Sequence, residues 1–294
     1  MSADLAVATP AYVDLTFVGL EALPEFGDEC FAGDLLRSPG GGAITAIAAA
    51  RLGLDTALVA PLADDEGGRF VREVLAGEGI AVGPARGRRT PTTVVMPVGG
   101  DHAMVTVDPG VRASAAEIAA PDPRAVVTNL ELLDLVPATA RAYVTVGDDD
   151  ARAYARRLPQ QEPRARALVL NMREAEMLTG ASTAAEAAQQ LSVIAECVVV
   201  GEGPTTATAC LDGQLVTADD ALDRVVDPTG DRDLLAAAFA WADLHDAEPE
   251  ARLRWAVLYA ALAAAVPTGA AGAVTRDRLL DEGRARGLAA PPGV

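Results

Sequence analysis

The sequence contains no lysine, so all 24 of its basic side chains are arginines. A phosphate-binding loop of the G-x-x-x-x-G-K-[ST] type is excluded, because its lysine has no counterpart here. Any phosphate must be held by backbone N–H groups, by arginine or through a metal ion. Histidine is almost absent as well, with only His102 and His245. This scarcity argues against a His/Cys zinc site and against a Ser-His-Asp triad.

Cysteine and long apolar segments are also scarce. The three cysteines, Cys30, Cys197 and Cys210, form no C-x-x-C pair. Their odd number argues against a disulfide framework and predicts a reducing, cytoplasmic location. The apolar run 256–266 has 11 residues, too few to span a bilayer. The first residues lack the basic and apolar regions of a signal peptide.

The charge and the composition limit the partners and the architecture. A formal net charge of −18 at pH 7 disfavours nucleic acid and anionic membranes as partners, although solubility alone also explains it. Half of the residues are apolar but only 4% are aromatic, so the core must consist of Ala, Val and Leu. The 294 residues contain neither an internal repeat nor a long linker, which predicts a single domain over 1–294.

Apolar strands alternate with helical segments along most of the chain. Strands are predicted at 11–18 and 56–61, with an Ala-rich helix between them that ends at Gly53. This alternation predicts an α/β sheet with helices on its faces. The β-rich pieces of 81–107 predict antiparallel strands that project from the main sheet. A helix is expected over 148–158, mainly helices after 231, and disorder in the tail 287–294.

Three segments combine residues suited to chemistry. The first is 225–233, where a strand end precedes a long apolar helix. A helix start presents unpaired N–H groups and favours anions, Gly230 permits a close approach, and Asp233 can accept a proton from a substrate hydroxyl. Simple helix capping by Thr229 and Asp231 is the structural alternative.

The other two segments also precede helices. The glycines of 40–42 offer a surface without side chains that can admit a polyol or a phosphate, or form a simple loop. Asn171 and Glu174 suit Mg²⁺ bound through water, and a solvated helix start is the alternative. Each of these signals is weak when it is taken alone.

Taken in order, these motifs resemble the ribokinase-like (PfkB) carbohydrate kinase family. The resemblance rests on GGGAITAIAAARLG at 40–53, ADDEGG at 63–68, NMREAEMLTG at 171–180 and DPTGDRD at 227–233. It covers nearly the whole chain. It implies a ribokinase-like three-layer α/β/α sandwich with a small β-rich lid around 11–38 and 81–107, which often also forms a dimer surface.

The resemblance also implies an activity and a set of site residues. The chain would phosphorylate a hydroxyl of a sugar or nucleoside-like molecule, with ATP and Mg²⁺ as cofactors and as a homodimer. The N–H groups of residues 230–233 would form an anion hole for the γ-phosphate. The implied roles are catalysis for Asp233, Gly230 and Arg232; substrate binding for Asp14, Gly41, Gly42 and Thr45; nucleotide binding for Thr229, Gly201 and Gly203; and Mg²⁺ organisation for Asn171 and Glu174.

Several positions depart from the family pattern. Arg232 replaces a glycine of the anion hole, Asp231 adds a negative charge there, and Ile44 or Thr45 stands where an asparagine is usual. The nucleotide-side glycine motif is altered over 201–206. A catalytically degenerate member that binds a small ligand or a partner protein therefore stays open as an alternative. A Rossmann oxidoreductase is disfavoured, because no G-x-G-x-x-G follows the first strand.

Overall fold

A computed structural model describes residues 2–99, 101–155, 165–220 and 225–294 of the chain. Its strands are β1 (Leu5–Val7), β2 (Ala11–Val18), β3 (Asp34–Gly41), β4 (Thr56–Leu58), β5 (Ala81–Val82), β6 (Thr92–Val98), β7 (Asp101–Val107), β8 (Ala125–Thr128), β9 (Arg141–Thr145), β10 (Ala165–Asn171), β11 (Ala195–Gly201), β12 (Thr206–Leu211) and β13 (Gln214–Asp219). Its helices are α1 (Gly42–Arg51), α2 (Glu66–Gly77), α3 (Ala115–Ala119), α4 (Asp148–Tyr154), α5 (Met172–Thr179), α6 (Ala184–Leu191), α7 (Asp231–Leu244), α8 (Pro249–Ala263), α9 (Gly269–Gly272) and α10 (Arg276–Ala285).

Nine strands within the described ranges form one large sheet, in the order β13-β12-β11-β10-β9-β8-β1-β4-β5. The seven strands from β11 to β5 pair in parallel, and β12 and β13 add antiparallel at one edge. Alternate residues of one strand face opposite sides: Val199 packs with α7 and α8, whereas Val198 and Val200 pack with α5 and α6. Helices therefore cover both faces, which explains why the central strands are almost wholly apolar. The expected three-layer α/β/α architecture is confirmed.

A second sheet, which we call the lid sheet, contains four described strands in the order β3-β2-β6-β7. Strand β2 pairs antiparallel with β3 and parallel with β6, so that Asp14 lies opposite both Ser38 and Thr93. The glycines of 40–42, considered above as a possible loop, instead belong to regular elements: Gly40 and Gly41 complete β3, and Gly42 starts α1. Pairing with β2 fixes this segment, so the glycines are held rather than flexible.

Two expectations about helices and termini need correction. The helix predicted over 148–158 is observed as α4 up to Tyr154, and residues 156–158 lie outside the described ranges. The tail, expected to be disordered, packs against the body: the Trp255 indole donates to Ala289 O at 3.2 Å, and Leu288 is buried. A buried indole N–H needs an acceptor, and the tail supplies it. In the described ranges, none of the helices has the length and apolar character needed to cross a bilayer.

Candidate active site

Asp233 lies in the first turn of α7, where the sequence predicted a catalytic base. Gly230 precedes the helix in the left-handed region (φ 82°), and a methyl group there would lie 2.8 Å from Ile44 Cδ1. The loop therefore rests directly on α1. Thr45 of α1 donates from Oγ1 to Asp233 Oδ1 at 3.1 Å. Burial raises the pKa of Asp233, whereas Arg232 and the Thr45 hydrogen bond lower it, so the carboxyl is oriented and primed to take a proton.

Asp14 reaches the same region from the lid sheet. Its side chain is buried on β2. Burial, followed by the negative charges of Asp233 and Asp227, raises the pKa of Asp14 to about 7. The backbone of Gly40 lies flat against this carboxyl, since a methyl group at Gly40 would lie 2.1 Å from Asp14 Oδ2. The fold thus brings two carboxyl groups from distant parts of the sequence close enough for their charges to interact.

Gly40→Ala is expected to displace the Asp14 carboxyl and to destabilise the protein by about 1–3 kcal/mol, because the new methyl group overlaps it. Urea unfolding measures this change in the free energy of unfolding. The matched control is Gly77→Ala in α2, where an added methyl group meets no described atom within 4 Å. That control should be neutral or stabilising by up to about 1 kcal/mol. Equal stabilities of the two variants would contradict the close approach of Gly40 to Asp14.

Asp14→Asn is expected to gain stability over the wild type as the pH rises. The pKa of Asp14 is raised to about 7 from an ordinary value of 3.8, so the folded state holds its proton more tightly than the unfolded state. Wild-type stability from this group therefore falls as the pH rises from about 4 to 7. Asparagine removes that loss, and urea unfolding should show the variant's relative gain growing by about 1–3 kcal/mol from pH 5 to pH 8.

The control for this pH dependence is Asp277→Asn in α10, whose carboxyl is 90% exposed. Its stability relative to the wild type should stay nearly constant over the same pH interval. If Asp14→Asn behaves like this control, Asp14 does not hold a proton in the folded protein near neutral pH.

Gly41 and Gly42, predicted to line the substrate pocket, lie at the junction between β3 and α1. A methyl group at Gly41 would lie 2.5 Å from Tyr12 Cδ2, and one at Gly42 would lie 2.3 Å from Thr9 O. Gly41 also has a positive φ of 53°. These glycines let α1 start tightly against the β1–β2 connection, which places Thr45 beside Asp233.

Asn171, Glu174 and Arg232 form a second group next to the α7 terminus. Glu174 accepts from Asn171 N at 2.8 Å, Asn171 Oδ1 accepts from Glu174 N at 2.9 Å, and Arg232 Nη1 is paired with Glu174 Oε1. Glu174 is only 2% exposed. Burial raises its pKa, while the charge of Arg232 counteracts that shift. Because both carboxylate oxygens are engaged, this pair as it stands does not fit a ligand set for Mg²⁺.

The predicted anion hole is partly used by the chain itself. Arg232 N donates to Asp231 Oδ1 at 2.6 Å, and Asp231 N donates to Pro228 O at 3.1 Å. Asp227 anchors the loop, because its carboxylate accepts hydrogen bonds from Thr229 N at 2.9 Å and from Thr268 N at 2.8 Å. Sequence reasoning missed this positioning role, because Thr268 is distant in the chain and only folding brings it to Asp227.

The predicted nucleotide side lies around Gly201 and Gly203. Together with Asn171, Arg232 and Leu235, these glycines border a cavity of only about 10 Å³. Such a volume admits no more than one water molecule. The side chains of Arg232 and Leu235 border this cavity and limit its volume.

Three threonine hydroxyls near the site are buried without a hydrogen-bond partner among the described residues. They belong to Thr9, Thr16 and Thr229. Thr16 lies two residues after Asp14 on β2 and therefore faces the same side of the lid sheet. A buried hydroxyl without a partner is costly, which favours contact with a bound polar molecule. The alternation of residues along β2 could have placed Thr16 on the same face as Asp14 from the sequence alone, although sequence reasoning did not use it.

Comparisons with known proteins identify the family and the fold. Residues 31–276 match the family model described as pfkB family carbohydrate kinase. A putative ribokinase from Agrobacterium tumefaciens superposes with a TM-score of 0.80 at 21% identity, over 97% of this chain and 99% of that one. Ribokinase from Arabidopsis thaliana, complexed with ribose and ATP, gives 0.73 at 22% identity over 96% and 98%. Adenosine kinase from Sinorhizobium meliloti gives 0.77 at 16% identity over 97% and 100%. No curated protein matches the sequence.

Proposed function

Because the chain belongs to the pfkB family of carbohydrate kinases, we propose that it transfers the γ-phosphoryl group of ATP to a hydroxyl of a sugar or nucleoside-like small molecule. The observation that carries this proposal is the convergence of Asp14, Thr45 and Asp233 at the positive end of α7. The Arabidopsis ribokinase, solved with ribose and ATP, supports the pairing of a sugar acceptor with this donor.

Each side chain has a defined task in this proposal. Asp14 accepts hydrogen bonds from substrate hydroxyls and so orients the acceptor. Asp233 removes the proton of the attacking hydroxyl while the new O–P bond forms and the bond to the β-phosphate oxygen breaks. Thr45 fixes the Asp233 carboxyl through the 3.1 Å hydrogen bond. The free N–H groups at the start of α7 stabilise the negative charge that develops on the phosphoryl oxygens.

Organisation of Mg²⁺ by Asn171 and Glu174 stays part of the proposal with one condition. Arg232 would first have to leave Glu174, since both oxygens of that carboxylate are engaged. The nucleotide roles of Thr229, Gly201 and Gly203 likewise require that the small cavity beside Arg232 opens.

A second candidate is a non-catalytic family member that binds a small ligand. The ion pair between Arg232 and Glu174 favours this second candidate. It occupies the proposed nucleotide side, where a cavity of only about 10 Å³ is left. The acceptor side, with Asp14 and Asp233, is the same in both candidates. The two functions therefore differ in nucleotide binding and share polyol binding.

Calorimetry with Mg-ATP distinguishes the two candidates. A kinase should bind the nucleotide at millimolar concentration or below and convert it to ADP when a panel of pentoses, hexoses and nucleosides is added. Nucleotide binding without turnover on any acceptor, or no heat at millimolar Mg-ATP, would reject the kinase. Binding of a sugar or nucleoside under the latter conditions would establish the second candidate.

A cytoplasmic location and a homodimer are further parts of the proposal. The lid sheet and the β2–β3 connection expose apolar side chains, among them Phe26, Phe31, Leu35, Met104 and Val105. A second copy covering this face would remove them from water. Sedimentation at micromolar concentration should then report a dimer, and a monomer would contradict the homodimer.

A further inference from the structure

A second cluster of charged side chains lies at the opposite end of α7 from Asp233. Arg141 starts β9, Arg166 is the second residue of β10, and Asp243 lies one residue before the end of α7. Asp233 and Asp243 are ten residues apart on one helix, which corresponds to about 15 Å along its axis. The cluster is therefore separate from the candidate active site.

Asp243 is the centre of this cluster. Its side chain is 1% exposed and accepts from Tyr143 OH at 2.5 Å and from Arg166 Nη2 at 2.6 Å, while Arg141 Nη1 donates to it at 3.2 Å. Although burial favours the neutral acid, the hydrogen bonds from Arg166 and Tyr143 lower the pKa of Asp243 below its ordinary value. The cluster thus contains one ionised, buried carboxylate.

Positive charge is in excess around that carboxylate. A third guanidinium, that of Arg252, is 87% buried and places Nη1 3.1 Å from Asp243 Oδ1. This Nη1 has no hydrogen-bond partner among the described residues, so the contact lacks hydrogen-bond geometry. Three arginines therefore surround one buried acid. A buried N–H group without an acceptor costs free energy, and an additional acceptor would relieve that cost.

Other acids lie at the rim rather than inside. Glu196 accepts from Arg166 Nη1 at 2.7 Å with a side chain that is 55% exposed, and Asp212 lies 3.9 Å from the same atom at 56% exposure. Asp246 also borders the cluster and is exposed. Water screens these three charges, so they offset the arginines less than Asp243 does. The inner shell of three guanidiniums and one carboxylate carries a net charge of +2.

These groups border a cavity of about 370 Å³, which lies between the amino ends of β9 and β10 and the end of α7. We propose that this cavity binds a small multivalent anion of the phosphate type, held by the guanidiniums of Arg141, Arg166 and Arg252. The volume suffices for phosphate or a small phosphate ester. A dianion matches the charge of the inner shell, and arginine forks suit its oxygens geometrically.

A purely structural network makes a different prediction. In that case the arginines only tie the strand ends to α7, and added phosphate acts on the protein as any other salt does. The probe is inorganic phosphate, titrated into the full chain at constant ionic strength with sodium chloride as the balancing salt. Thermal unfolding and calorimetry follow binding.

Phosphate should raise the melting temperature and bind with a measurable heat. Arg141→Gln, at a side chain 48% exposed, should weaken phosphate binding at least about tenfold. Glu196→Gln should strengthen it, because this substitution removes a negative charge at the rim and weakens the hydrogen bond that holds Arg166 Nη1. The matched control is Arg276→Gln in α10, also 48% exposed, which should leave phosphate binding unchanged and so separate this site from general charge effects.

Three results would overturn the proposal. Phosphate could behave as chloride does in the wild type, Arg141→Gln could respond as Arg276→Gln does, or Glu196→Gln could weaken binding. Phosphate bound at the active site would be recognised by its persistence in Arg141→Gln. A crystal grown with phosphate would show the anion between the three guanidiniums if the proposal is correct.

Discussion

Asp233→Asn is expected to reduce phosphoryl transfer by about 10²–10⁴-fold, because an amide cannot accept the proton of the attacking hydroxyl. The asparagine is nearly isosteric and can still accept the hydrogen bond from Thr45 Oγ1, which joins Asp233 at 3.1 Å. Acceptor affinity should therefore change by less than about threefold. The measurement is ADP release with the acceptor identified from the panel, together with calorimetry of that acceptor.

The control for this substitution is Asp277→Asn, which changes the second residue of α10 and leaves the active site intact. Both variants lose one negative charge near a helix start, so the helix-dipole effect is similar. Asp277→Asn should retain full activity. Retained activity in Asp233→Asn would reject the assignment of the base. A large loss of acceptor affinity in that variant would instead make Asp233 mainly a binding group.

The sequence was sufficient for the fold because its signals are local and repeated. Apolar strands and Ala-rich helices alternate, and the helix starts of α1, α5 and α7 carry recognisable motifs. Asp233 could be selected because Gly230 and the start of a long apolar helix are its neighbours in the sequence, although the strand end expected at 225–226 is not formed and residues 225–230 are a loop. The parallel order of the sheet follows from the same alternation.

Pairwise contacts between distant segments could not be predicted in this way. The ion pair between Arg232 and Glu174 joins residues 58 positions apart. Asp227 is held by Thr268, and the tail covers Trp255. Each of these contacts depends on the relative placement of two elements, which the pattern of a single segment does not encode. For the same reason, the sequence left open whether Gly40 belongs to a simple loop, although it lies in β3 against Asp14.

Arg232→Gly is expected to increase nucleotide affinity at least about tenfold and to decrease the stability of the free protein. The guanidinium pairs with Glu174 and borders the 10 Å³ cavity beside Gly201 and Gly203. Removing it opens this space to phosphate groups and releases the Glu174 carboxylate. Calorimetry with Mg-ATP measures the affinity.

The loss of stability has a pH dependence with a defined sign. Breaking a buried ion pair by removing one partner destabilises a protein by about 3–5 kcal/mol when the other group stays charged. Burial already raises the pKa of Glu174, and Arg232 is the main group that opposes this shift. Without Arg232 the Glu174 carboxyl keeps its proton in the folded state to higher pH. The stability of the variant therefore falls as the pH rises through the raised pKa of Glu174. Urea unfolding should show a larger deficit at pH 8 than at pH 5.5.

Two further variants separate charge, space and burial. Arg232→Gly combined with Glu174→Gln should recover most of the stability at pH 8, since no buried charge is then left unpaired. Arg173→Gly also removes one positive charge and introduces glycine near a helix start, but its side chain is 68% exposed, so nucleotide affinity should stay within about twofold of the wild type. A tenfold loss of ATP affinity in Arg232→Gly, against an unchanged Arg173→Gly, would show that Arg232 binds phosphate directly. The ion pair with Glu174 would then orient the Arg232 guanidinium for phosphate binding, rather than close the nucleotide side.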